Sequence, residues 1–161
     1  MKMDIRPAHL EDADTITAML ICLASEIGDR EVFLSDADTI ARYGFGEQKL
    51  FHCLIAESGE KHQGLALFYP VFSTMRGKPG VYVQDLWVDE SARGQGLGAR
   101  LLAGVADQAA SQWEAAYLKL TVYADNSNAN TFYRRLGFRG DERDRPMAIV
   151  DDAFQKLRDQ A

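Results

Sequence analysis

A glycine-rich segment near the middle of the chain has the residue types of an anion-binding loop. It reads Arg93-Gly94-Gln95-Gly96-Leu97-Gly98 and lies between a β-like apolar run and an amphipathic segment. Glycines lack a Cβ atom, so backbone N–H groups can close on a bulky anion, and the first turn of a helix adds a partial positive charge. The segment therefore predicts a site for a phosphate-bearing cofactor. The alternative is that these glycines serve backbone geometry alone.

Two common phosphate-binding motifs do not match this segment. No Gly-Lys-Ser or Gly-Lys-Thr triplet follows the glycines, so the lysine and the magnesium ligand of a P-loop are missing. The glycines stand at 94, 96 and 98, which is the wrong spacing for the Rossmann pattern G-x-G-x-x-G. A P-loop nucleotide site and a dinucleotide site are therefore disfavoured.

A second segment combines polar residues, an aromatic pair and a glycine. It reads Asn126-Ser127-Asn128-Ala129-Asn130-Thr131-Phe132-Tyr133-Arg134-Arg135-Leu136-Gly137-Phe138. Taken alone, it predicts a capped helix over 129–136 that packs Phe132 and Tyr133 in a core and ends at Gly137.

The elements that must position these segments follow from hydrophobic periodicity. Apolar residues at helical spacing predict helices over 16–27, 35–41, 97–109 and 129–136. Strands are predicted over 3–6, 50–56, 65–72, 81–88, 118–122 and 147–150, the second to fourth of them as an antiparallel meander. The strand–helix–strand order around 93–98 predicts a right-handed crossover between parallel neighbours. The length of 161 residues predicts one domain over 1–161.

Together and in this order, the two segments resemble the R-x-x-G-x-G and N-x-x-A-x-x-x-Y-x-x-x-G-F signatures of the GNAT acetyltransferase superfamily. The resemblance covers almost the whole chain and implies the GNAT fold, an α/β architecture with a mixed, mostly antiparallel sheet flanked by helices. It implies acetyl-CoA as co-substrate, Tyr133 as the general acid for the departing thiolate, and a bulge near Leu86 and Trp87 that frees a backbone N–H for the oxyanion. The cofactor-binding residues that it implies are Leu86, Trp87, Val88, Arg93, Gly94, Gln95, Gly96, Leu97, Gly98, Asn126 and Tyr133.

A closer resemblance within the superfamily rests on segments 44–47, 51–57, 82–88 and 132–135. These segments are similar to the diamine (spermidine/spermine) acetyltransferases and their thialysine-acetylating relatives, which acetylate primary amines of small cations. In that subfamily the third-strand motif carries Glu before Asp, and the Glu is the proposed base. This sequence has Gln84 before Asp85.

The missing glutamate matters because a primary alkylamine resembles lysine, whose pKa is about 10.4, and is mostly protonated near neutral pH. The neutral amide of Gln84 cannot accept the ammonium proton. Three routes stay open: a water held by Gln84, Asp85 itself, or an amine that arrives neutral. Asp85 is the first candidate for substrate contact, with Glu26 and Glu31 as secondary candidates.

Composition limits the partners. Lys and Arg number 18 against 24 Asp and Glu, and the resulting charge of −6 argues against nucleic acid. No uncharged run is long enough to span a membrane, and Cys22 and Cys53 lack disulfide or CxxC spacing, so a cytoplasmic protein with reduced thiols is expected. The three histidines lack metal-ligand spacing, so we expect no metal.

The resulting functional prediction is an enzyme that moves the acetyl group of acetyl-CoA directly to a primary amine of a small cation, such as a polyamine or a lysine-like or thialysine-like amino acid. The resemblance also implies a homodimer. Two alternatives remain. One is acetylation of a protein or antibiotic amine, and the other is an acyl-CoA-binding module without catalysis, which the presence of Gln84 keeps open.

Overall fold

Within the described part of the chain, five strands form one sheet in the order in which they occur in the sequence. They are β1 (Asp4–Pro7), β2 (His52–Ser58), β3 (Lys61–Ser73), β4 (Lys78–Val88) and β5 (Leu118–Leu120). Neighbours from β1 to β4 are antiparallel, and β4 and β5 are parallel. The predicted meander and the parallel pairing of the strands joined by the crossover are both confirmed, and the right-handedness of the crossover stays a prediction.

The structure, a computed structural model, describes residues 3–161. Its contacts divide the chain into two compact units, one ending at Asn126 and the other comprising Ser127–Ala161. The first unit contains the sheet and helices α1 (Ala13–Glu26), α2 (Ala37–Phe45) and α3 (Leu97–Trp113). The second contains α4 (Ser127–Arg135) and α5 (Asp151–Arg158). That the chain is one domain stays a prediction.

Helices cover both faces of the sheet. On one face, the apolar stripe of α1 and Ile40 of α2 pack against strand residues that include Ile55, Leu65 and Trp87. On the other face, α3 contacts β2, β3 and β4, and Leu101 lies beside Gly64. Burial of these apolar side chains provides the main driving force for the fold. The predicted sheet flanked by helices is confirmed.

Arg6 of β1 fastens the start of α1 to the sheet. Its two Nη atoms donate to both carboxylate oxygens of Asp12 at 2.7 and 2.9 Å, and its Nε donates to Glu57 of β2 at 2.9 Å. The hydrogen bonds from Arg6 lower the pKa of Asp12 to about 2. This bidentate geometry fixes the direction in which α1 leaves the sheet edge.

The predicted strand at 147–150 is wrong. These four residues are irregular, and Met147, Ile149 and Val150 are exposed. A short apolar run becomes a strand only when another strand pairs with it, and no strand of the described chain does so here.

Helix α5, which follows directly at Asp151, was not predicted, since its only large apolar residues are Phe154 and Leu157. Its charge pattern carried a signal. Acidic residues occupy its first turn and basic residues its last, as the helix dipole favours.

Candidate active site

A bulge in β4 lies at Gln84. Across the ladder, Val83 faces Phe68 and Asp85 faces Leu67, so no residue of β3 pairs with Gln84 in the ladder. The resemblance implied a bulge near Leu86 and Trp87. Those two residues are instead in regular register with Ala66 and Leu65, and the bulge comes earlier in the strand.

The bulge brings Gln84 and Asp85 to the same face of the sheet. In a regular strand, neighbouring side chains point to opposite faces. Here Asp85 lies opposite Leu67, which belongs to the core beneath α1 and α2. Gln84 lies toward the same face, because its Oε1 accepts a hydrogen bond from the hydroxyl of Tyr69 at 3.2 Å, two residues along β3 from Leu67. One carboxylate and one amide are therefore adjacent there.

The bulge also changes which backbone groups face the edge of β4 next to β5. Before it, Val81 N donates to Tyr117 O at 2.9 Å, and pairing with β5 ends at Val83 opposite Leu120. Beyond it, Asp89 N donates to Gln63 O on the β3 side at 2.9 Å. Because backbone direction alternates along a strand, the amides of Leu86 and Val88 face the edge that β5 has left.

Asp85 has the environment of a carboxyl group suited to proton transfer. It is half-buried, and none of the residues from 3 to 161 donates a hydrogen bond to its carboxylate. Burial disfavours its charged form and raises the pKa of the Asp85 carboxyl to about 6. At neutral pH it is therefore mostly ionised, with a proton affinity much higher than that of an exposed aspartate.

Two tyrosines accompany these polar groups. Tyr69 and Tyr82 lie opposite each other in the ladder and stack at a centroid distance of 5.3 Å. The Tyr82 hydroxyl is hydrogen-bonded to Thr121 Oγ1 at 2.7 Å, just beyond β5. Neither tyrosine was among the residues predicted for the site. The signal for Tyr82 was its position two residues before Gln84.

The glycine-rich segment forms the turn that leads into α3. Gly94 and Gly96 have φ values of 74° and 75°, and a Cβ atom at either position would point into open space. Gly96 is the N-cap of α3 and no side chain caps the helix. The first helical bond from the cap runs from Arg100 N to Gly96 O at 3.1 Å, so the amides of residues 97–99 have no partner within α3. The turn can therefore present several N–H groups to one anion.

Glu26 and Arg93 were predicted for different sites, but the structure pairs them. Arg93 Nη2 donates to Glu26 Oε2 at 2.6 Å, and Arg93 Nε donates to Val88 O at 2.8 Å. Glu26 Oε1 accepts from Trp87 Nε1 at 3.0 Å. Glu31 lies apart from this group, in a single 3-10 turn (Arg30–Val32), and is exposed.

Tyr133 lies in the second unit, on α4. Its ring contacts those of Phe132 and Phe138 at centroid distances of 5.1 and 5.5 Å. Burial raises the pKa of its hydroxyl, which therefore stays protonated at neutral pH, and no residue of the described chain forms a hydrogen bond with that hydroxyl. Gly137, with a φ of 97°, ends the helix as predicted. Asn126, the last residue of the first unit, donates its backbone N–H to Tyr123 O at 3.0 Å.

Two kinds of feature are absent from the described residues. No group of three or more His, Cys, Asp and Glu side chains between residues 3 and 161 is placed to hold a metal ion. Within the same residues, no helix combines the length and the apolar character that a membrane span requires.

Comparison with known proteins gives the class and then the family. Residues 20–138 match the Acetyltransferase (GNAT) family. Thialysine N-epsilon-acetyltransferase of Sus scrofa is 32% identical over 145 residues, which cover 84% of this chain and 83% of the relative. Spermidine/spermine N(1)-acetyltransferase-like protein 1 of Homo sapiens is 32% identical over 105 residues, or 61% of this chain and 15% of the relative.

The fold also matches that of a solved structure. The solved structure of an integron cassette protein from Vibrio cholerae superposes with a TM-score of 0.80 at 22% identity, covering 98% of both chains. The family match defines the molecule as an acyltransferase, and the superposition agrees with the GNAT fold. The chain belongs to the GNAT acetyltransferase family, whose members use acetyl-CoA, and the similarity to thialysine and spermidine/spermine enzymes is confirmed.

Proposed function

We propose that the protein transfers the acetyl group of acetyl-CoA directly to a primary amine of a small cationic molecule. The observation that carries this proposal is the β4 bulge. It sets Asp85 beside Gln84 on one face of the sheet and turns the amides of Leu86 and Val88 toward the edge that β5 leaves open. A proton acceptor and a donor for an oxyanion thereby come from consecutive residues of one strand.

Acetyl-CoA supplies the thioester that is attacked. We assign its pyrophosphate to the turn at 93–98, where the free amides at the start of α3 and the left-handed glycines fit a bulky anion. The open edge of β4 at Leu86 and Val88 offers hydrogen bonds to an extended chain. The Leu86 amide is our candidate for stabilising the negative oxygen that forms when the amine adds to the thioester carbonyl.

For the acceptor we propose the face that carries Asp85, Gln84 and the stacked tyrosines. A carboxylate attracts an ammonium group, and aromatic faces attract cations. Asp85 takes the proton that the ammonium must lose before its nitrogen can form the new C–N bond. Gln84, held by Tyr69, orients the amine or a water between amine and carboxylate. The C–S bond then breaks, and Tyr133, the general acid that the resemblance implies, gives its proton to the departing thiolate. The second proton, which the nitrogen releases on forming the amide, balances the one that Tyr133 gives up.

The relatives' names support a small amine, since thialysine and spermidine/spermine are both cations with primary amino groups. A protein or antibiotic amine is the alternative acceptor, and an acyl-CoA-binding module without catalysis is the alternative of a different class. We further propose a homodimer, as the resemblance implies, and a cytoplasmic location, which the lack of disulfide spacing favours.

Replacing Gly96 by aspartate tests the cofactor site. Binding of acetyl-CoA to the wild-type protein should raise the free energy of unfolding by about 2.7 kcal/mol at 100 times the dissociation constant. In Gly96→Asp the shift should disappear, because the carboxylate repels the pyrophosphate and its Cβ occupies the open side of the turn. Thermal denaturation with and without acetyl-CoA measures the shift.

Gly77→Asp is the matched control. Gly77 also has a positive φ, 62°, and open space around its Cβ position, but it lies in the turn between β3 and β4. This variant should keep the full shift. A wild-type protein without a shift at millimolar acetyl-CoA, or a Gly96→Asp variant that retains it, would remove the cofactor site from 93–98.

A further inference from the structure

One carboxylate joins three parts of the first unit. Glu26, the last residue of α1, accepts from the indole Nε1 of Trp87 near the end of β4 and from the guanidinium of Arg93, which opens the glycine-rich turn. Arg93 in turn donates from Nε to the carbonyl of Val88. We call these three side chains the Glu26 cluster: Glu26, Trp87 and Arg93.

The cluster fixes the turn to the open edge of β4. The carbonyl oxygen of Val88 faces that edge and accepts a hydrogen bond from Arg93 Nε at 2.8 Å. The 2.6 Å contact between Arg93 and Glu26 then orients the guanidinium from the other side. A planar guanidinium with two partners at fixed distances has little freedom to move. The backbone at Arg93 is therefore held in a fixed position relative to β4.

The charges of the cluster are accessible, which limits its effect on stability. Arg93 and Glu26 side chains are 46% and 43% exposed. Exposed ion pairs contribute little to folding free energy. The effect of this pair should therefore appear in the geometry of the turn.

We propose that Glu26 is a positioning residue for the cofactor turn, acting through Arg93 and Trp87, and that it does not bind the acceptor amine. Both of its carboxylate oxygens already accept hydrogen bonds from the cluster. The proposal deepens the proposed function and rests on it. It assigns part of the affinity for acetyl-CoA to a residue that precedes β4 in the chain, whereas the cofactor turn follows β4.

Glu26→Gln separates this role from substrate contact. The amide oxygen can still accept from Trp87 Nε1, but the charge that holds Arg93 is lost. We expect the dissociation constant of acetyl-CoA to rise about tenfold, within the range of coupling between contacting residues. The KM for the amine should stay within about twofold, since a residue that acts through Arg93 leaves the amine site intact. Calorimetric titration and two-substrate kinetics measure these values.

A double-mutant cycle with Arg93→Gln checks the route. If Glu26 acts through Arg93, the double variant should bind acetyl-CoA no more weakly than Arg93→Gln alone. Glu11→Gln, an equivalent change at an exposed glutamate just before α1, is the control and should match wild type.

Three results would overturn the proposal. They are a rise in the amine KM with unchanged acetyl-CoA affinity, additive losses in the cycle, and a Glu26→Gln variant identical to wild type. Failure of the wild-type protein to bind acetyl-CoA would refute the proposed function instead, so the two failures are distinguishable.

Discussion

Asp85→Asn is expected to lower kcat/KM for amine acetylation by about 10²- to 10⁴-fold, the range that general bases contribute. The variant keeps the size and polarity of the side chain but cannot accept the ammonium proton. Because burial raises the pKa of Asp85 to about 6, its base form predominates at neutral pH and is lost in acid. The wild-type rate should therefore fall below about pH 6, and this limb should be absent in Asp85→Asn.

Thermal stability separates loss of the base from loss of the fold. The pKa of Asp85 is higher in the folded chain than its ordinary value of 3.8, so the folded state binds more protons than the unfolded state between these values. Its contribution to stability is therefore greatest in acid and declines as the pH rises through about 6. Asp85→Asn lacks this decline and should be at least as stable as wild type at pH 7.

Asp38→Asn is the control for the change itself. Asp38 is an exposed aspartate in the first turn of α2, so its replacement should leave the pH–rate profile unchanged. A wild-type rate that climbs steadily from pH 7 to 9, with Asp85→Asn retaining wild-type kcat/KM, would show that a water chain or an already neutral amine serves in place of Asp85.

Tyr133→Phe is expected to lower kcat by about 10²-fold, the lower end for general acids. The phenylalanine ring preserves the contacts with Phe132 and Phe138, so only the hydroxyl is lost. Since burial raises the pKa of Tyr133, the hydroxyl is protonated and able to donate to the departing thiolate throughout the neutral range. Affinity for acetyl-CoA should change little, and pre-steady-state thiol release measures the chemical step.

Tyr43→Phe provides the comparison. Tyr43 is an exposed tyrosine of α2 whose ring lies beneath Arg42, and removing its hydroxyl should leave kcat unchanged. A Tyr133→Phe variant with equal losses in acetyl-CoA affinity and rate would indicate a packing role. An unchanged kcat would exclude Tyr133 from proton donation.

Local features of this fold could be predicted from the sequence because their causes are local. The alternation in β4, the glycines at 94 and 96 and the apolar stripe of α3 depend on residues within one or two turns of chain. Together they predict a strand, a tight turn and a helix, and the structure contains all three.

The features that decide the site depend on distant partners. The bulge at Gln84 exists only in the register between β3 and β4, and no pattern in β4 alone specifies it. Glu26 and Arg93 are 67 residues apart, so their pairing cannot be read from spacing. The raised pKa of Asp85 likewise comes from burial beneath residues of other elements.

Release of CoA thiol from acetyl-CoA across a panel of amines distinguishes acetyl transfer from acyl-CoA binding alone. The panel includes small primary diamines and lysine-like and thialysine-like amino acids. Analogues in which every amine is tertiary, a protein amine and an aminoglycoside serve for comparison. We expect a small primary amine to accelerate thiol release in step with formation of its N-acetylated product, and its tertiary amine analogue not to do so. Without amine, no stoichiometric burst of thiol should occur. Binding of acetyl-CoA without amine-dependent thiol release for any acceptor would contradict acetyl transfer and identify a non-catalytic acyl-CoA-binding module.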